Sequence, residues 1–177
     1  MSGFAIKYFH AATIALLLFA VYTNGQSESE WQKFVAPDGS FSVSFPRKPK
    51  TDTKTEKSSK GKSEIYIVSS SDRMFSYGVE AITADYDLEH DARVDAIRDK
   101  LVHQLDANLV SQSETELGGY TGIDLVFINA ERNYKAKILV SGRKAYIVAI
   151  GAPDLVQNDT GQIDKFLKSF EILKTTN

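Results

Sequence analysis

Any chemistry in this chain must come from carboxylates, hydroxyls, amines and three imidazoles, because its 177 residues include no Cys. That removes thiolate nucleophiles, thiolate zinc sites, disulfide frameworks and a lipid anchor on an N-terminal Cys. Asp85, Asp87, Glu89 and Asp91 alternate like the ligands of a calcium loop. An EF-hand needs Gly at its sixth position and Glu at its twelfth, and here those positions hold His90 and Ala96. The acidic run therefore reads as the solvated start of a helix, where the macrodipole favours anions. His90 and His103 are the only imidazoles after residue 25, and they lie outside the i, i+4 spacing of a helical zinc pair. No metal or cofactor is expected.

A Ser/His/Asp triad can assemble from distant positions. Yet there is no Gly-x-Ser-x-Gly elbow, and both imidazoles sit on or beside one amphipathic stretch. Ser69 to Ser71 read as loop, and Ser111 and Ser113 as a polar strand face. A secreted hydrolase with an atypical Ser/His/Asp site is thus the alternative reading, and no catalytic residue is assigned. Gly118-Gly119 precedes neither a helix nor a Lys, so it is not a phosphate loop.

The basic stretch is the remaining candidate. Arg47, Lys48, Lys50, Lys54, Lys57, Lys60 and Lys62 face only Asp52 and Glu56 between residues 47 and 62, a local charge of +5. These seven residues are the possible contact with a protein partner or an anionic envelope component. The stretch lacks interleaved aromatics, so single-stranded nucleic acid is not the expected ligand. With no apolar period, residues 50–62 read as an exposed, mobile loop.

The elements that must position these residues follow from periodicity. Residues 1–25 read as a cleaved signal peptide: Lys7, an apolar run from Ala11 to Val21, then Thr23 and Gly25 ahead of Gln26. The run is shorter than the ~20 apolar residues of a spanning helix, so no transmembrane span is expected after cleavage. Without Lys7, residues 26–177 carry 20 basic against 23 acidic side chains, net −3. They form one domain by length, expected to be a monomer exported to the periplasm or the exterior.

Trp31 to Val35 is a short strand, with Trp31 as a lid on the core, and Pro37-Asp38-Gly39 a turn. Phe41, Val43 and Phe45 alternate with Ser42 and Ser44, a half-buried strand with its serines outward. Glu64 to Val68 and Phe75 to Ile82 are strands, and Val94, Ile97, Leu101, Leu105 and Leu109 space a long mid-chain helix with His103 outward. Val110 to Leu117 and Tyr120 to Ile128 flank Gly118-Gly119, and Tyr134 to Ser141 and Lys144 to Gly151 flank Gly142-Arg143, two primed-turn hairpins. Ala145 to Ile150 is apolar on both faces and belongs at the sheet centre. A last helix starts near Asp159, where Gln162 completes a capping box, and carries Ile163, Phe166, Leu167 and Phe170. The sum is α+β: about eight mostly antiparallel strands and two packed helices.

The opening Trp31…Phe34-x-x-Pro37-Asp38-Gly39-x-Phe41-Ser42-Val43-x-Phe45-Pro46-x-x-Pro49 resembles PsbP-like αβα-sandwich domains and related secreted proteins of unknown function. The Tyr146 to Ile150 strand and the closing Lys165 to Glu171 are similar to the last strand and helix of those domains. The resemblance spans most of residues 31–173 and implies an accessory, partner-binding role; it carries over no functional residue. The expectation is an exported, non-catalytic binding or accessory protein acting through protein or envelope-surface contacts.

Overall fold

The computed structural model describes residues 31–87, 90–153 and 160–173. The signal peptide expected over 1–25 and the Asp159 cap lie outside the described residues. The elements run β1 (Gln32–Val35), β2 (Phe41–Phe45), β3 (Lys50–Ser58), β4 (Gly61–Ser71), β5 (Ser76–Ala84), α1 (His90–Gln104), β6 (Asn108–Leu117), β7 (Tyr120–Ile128), β8 (Asn133–Ser141), β9 (Lys144–Ala152), α2 (Thr160–Ser169) and β10 (Glu171–Ile172). The strands form an antiparallel seven-stranded sheet, ordered β3-β4-β5-β9-β8-β7-β6, and a three-stranded sheet, β1-β2-β10. The architecture is α+β, with ten strands in two sheets where about eight were expected. Among the described residues no helix is long and apolar enough to cross a membrane.

β9 is the middle strand of seven, as its double-sided hydrophobicity requires. Its Tyr146, Val148, Ile150 and Ala152 enter one core with Phe41, Val43 and Phe45 of β2 and Ile163 and Phe166 of α2. Its Ala145, Ile147 and Ala149 enter a second core beneath Val94 and Leu101 of α1. The large sheet is therefore covered on one face by the small sheet and α2, and on the other by α1. Trp31 packs edge-on against Tyr77, ring centroids 5.7 Å apart, and serves as the expected lid. The Gly118-Gly119 turn is of the primed kind, with φ of 61° and 83° where a side chain would be strained.

The structure corrects several expectations. Residues 50–62 are not a loop: Lys50–Ser58 pairs residue for residue with Gly61–Ser69 of β4. An edge strand needs no apolar face, only a partner for one side of its backbone, so a Lys/Thr/Ser run can fill it. The long helix stops at Gln104 rather than reaching Leu109. Asp106, at φ 45°, closes it: Ala107 N donates to Val102 O at 3.0 Å and Asp106 N to His103 O at 3.3 Å, a Schellman cap without glycine. Finally, Ser42 is fully buried rather than outward. Its Oγ donates to Glu171 Oε2 at 3.1 Å, and Lys33 Nζ reaches the same oxygen at 3.1 Å, so an ion pair roofs the polar face of β2.

Candidate functional site

The seven basic residues gather along one border of the molecule. Lys50, Lys54 and Lys57 lie on β3, the first strand of the large sheet. Lys60 sits in the two-residue turn, Lys62 is the second residue of β4, and Arg47 and Lys48 lie in the link from β2. All but the half-buried Lys54 are exposed. Period two places Lys50, Asp52, Lys54 and Glu56 on the face that carries α1, and Thr51, Thr53, Thr55 and Lys57 on the face of the small sheet.

Not all of this charge is free. Lys62 Nζ pairs with Glu64 Oε1 at 2.8 Å, which raises the lysine above its ordinary range. Lys100 Nζ of α1 stands 3.1 Å from both oxygens of Glu56, a clamp from the helix to the edge strand. Beneath that clamp lies Glu80 of β5, 1% exposed, with neither carboxylate oxygen hydrogen-bonded. Burial pushes its carboxyl up to about 7; Lys100 and Lys54 pull the other way, and Glu56 adds to the rise. Sequence reading passed over Glu80, although one sign was there: a lone acid inside the apolar run Val79 to Ile82.

Two concavities flank the sheet. One, of about 240 Å³, lies beside β3 under the Pro37–Asp38 turn, floored by Thr53, Tyr66, Ala81 and Tyr146 in one cross-strand row. Glu64, Thr83 and Lys144 line it from the next row. The other, about 730 Å³, lies between α1 and the opposite border of the sheet, where Asp95, Glu114 and Glu116 make it acidic. One end of the sheet is thus cationic and the other anionic.

Among the described residues weighed for catalysis, no histidine ring is hydrogen-bonded to a serine. His103 is exposed on the last turn of α1, Ser69 to Ser71 are the paired end of β4 rather than the expected loop, and Ser111 and Ser113 lie exposed on β6. His90 opens α1, and its side chain lies outside the described residues. Among the described residues no group of three His, Asp or Glu side chains gathers as a metal site. What the geometry brings together among the described residues is an electrostatic border with backbone groups along it.

The layered arrangement, a central antiparallel sheet between a helix and a helix-backed small sheet, defines a PsbP-like fold. The solution structure of cyanobacterial PsbP (CyanoP) from Synechocystis sp. PCC 6803 matches it with a TM-score of 0.55 at 12% identity, covering 86% of this chain and 98% of that one. A crystal structure from Bacteroides thetaiotaomicron VPI-5482 gives a TM-score of 0.38 at 16% identity over 81% of this chain and 48% of that one, too weak to define a shared fold. No family model and no curated protein sequence matches the chain.

Proposed function

We propose that this is an exported accessory protein that binds rather than catalyses, and that it docks on an acidic protein surface through the cationic border formed by β3 and its turn. The observation that supports the reading is the placement of Lys50, Lys54 and Lys57 on β3 and Lys60 in its turn, at a sheet edge with no further strand among the described residues, opposite an acidic border. A charge set concentrated at one end orients the molecule as it approaches a partner of opposite sign. The likeness to cyanobacterial PsbP supports the fold on which this surface is built. The hydrolytic alternative has less behind it, since His103 stands exposed on a helix end with no hydrogen bond from its ring to a Ser or Asp among the described residues.

The test is capture of partners from an envelope or secreted fraction by residues 26–177, at low and at physiological salt. Exposed charges are screened beyond ~8 Å at 0.15 M, so the specific fraction should fall steeply between the two. Replacing Lys54, Lys57, Lys60 and Lys62 by Gln should remove the salt-sensitive fraction while the melting temperature holds. Equal capture by that variant refutes the border as the docking surface.

A further inference from the structure

We propose that β3 is a strand-addition site: an extended, acidic segment of another protein pairs with its outer backbone and becomes an eighth strand of the large sheet. This deepens the docking reading and rests on it.

Register supplies the first argument. Antiparallel pairs alternate between hydrogen-bonded and open, and one contact fixes the phase. Lys62 N donates to Asp85 Oδ1 at 2.9 Å and Lys62 O accepts from Asp85 N at 3.0 Å, so the backbone of Lys62 turns away from its partner Lys57. The Lys57–Lys62 pair is therefore open. Counting back by two, Thr51, Thr53, Thr55 and Lys57 direct their N–H and C=O groups outward. Asp52 Oδ1 accepts from Thr53 N at 2.8 Å, which leaves Thr51, Thr55 and Lys57 as the amides that anchor an added strand. Nine residues of strand, about 30 Å at ~3.3 Å each, run along this edge.

Charge supplies the second argument. Lys on an edge strand ordinarily deters pairing, and here it deters a second β3, whose lysines would face these. An acidic strand meets the opposite field. Its acids on one face would oppose Lys50 and Lys54, and those on the other Lys57, at cross-strand distances where opposite charges attract. Two acids share the Lys50–Lys54 face: Asp52, between the two lysines, whose Oδ1 accepts from Thr53 N, and Glu56, which Lys100 holds. A second copy's β6 edge is acidic too, yet it carries a bulge at Val110, between Leu109 and Ser111, which interrupts pairing.

The probe is a twelve-residue peptide alternating Glu and Val, set against a Glu-Pro repeat of equal length and charge that cannot extend a ladder. The Glu-Val peptide should bind measurably more tightly than the Glu-Pro repeat, because main-chain hydrogen bonds supply the affinity of an added strand. It should also slow hydrogen exchange at the Thr51, Thr55 and Lys57 amides of the unaltered protein. Thr55→Pro, which removes an outward N–H and spares the β4 ladder, should lose that preference while circular dichroism and melting match the parent. Equal binding of both peptides, with the Lys→Gln variant weakened, overturns strand addition and leaves the electrostatic surface standing. If the Lys→Gln variant binds as the parent does, both readings fall. Binding of phosphatidylglycerol vesicles without amide protection by the peptide overturns the proposal in favour of a membrane. Concentration-dependent self-association abolished by Thr55→Pro overturns it in favour of a second copy.

Discussion

Glu80 departs furthest from what its side chain prefers. A carboxylate that is 1% exposed and lacks a hydrogen bond is costly to ionise, and its carboxyl is accordingly pushed up to about 7 by burial. The folded state therefore holds the proton more tightly than the unfolded chain, whose ordinary value is near 4.5. Stability from this group is complete below about 4.5 and is lost as pH rises to about 7, since the unfolded chain releases its proton first. The loss is on the order of 3 kcal/mol. Glu80→Gln should melt with the parent near pH 4.5 and several degrees above it at pH 8, read by scanning calorimetry across that range. Parallel pH profiles would show that Glu80 finds a partner on ionising, with Lys100 leaving Glu56 as the obvious candidate. The sequence marks Glu80 as a lone acid in an apolar run but not as buried, because a glutamate in a strand reads as outward until the helix above it is placed.

Among the elements, β2 and β9 were legible and β3 was not, for one reason. β2 and β9 bury side chains, so their hydrophobic pattern carries their position; β3 is held by backbone bonds to β4 and by the Lys100–Glu56 ion pair, neither of which leaves a mark in hydrophobic pattern. Even β2 was only half readable. Its apolar face was plain, but the burial of Ser42 depends on Lys33 and Glu171, one of them near the end of the chain. Val43→Asp places an unpaired charge in the larger core and should cost several kcal/mol. Ser42→Ala loses one hydrogen bond and should cost about 1 kcal/mol. Denaturant midpoints of the two variants check the order; similar values would mean that the small sheet is not part of the cooperative unit. The helix end at Asp106 was missed because the spacing of Leu105 and Leu109 continues past it. Only a backbone turn, not a change of pattern, stops α1.

At the scale of the whole molecule, the charge imbalance was visible in the chain, but its polarity was not. That the basic and acidic segments lie at opposite borders follows from the β5–β9 join, which sets a β3–β5 hairpin pair beside a β6–β9 meander. The same join has a kinetic side. β5 ends at Ala84 and β9 begins at Lys144, so the two half-sheets cannot meet until residues 85–143 have been made and arranged. Contacts of such sequence separation slow folding, because loop closure comes before its reward. Val79 and Val148 face each other across this seam, both fully buried. Alanine at either should chiefly slow refolding in stopped-flow traces; an unchanged refolding rate with faster unfolding would place closure after the barrier. A growing chain that has not yet produced Ala152 carries β5 as an open, apolar rim, the kind of edge that draws in other strands. Its hazard is therefore one of timing: the unfinished polypeptide is the form that needs a chaperone, and completion of one strand removes the need.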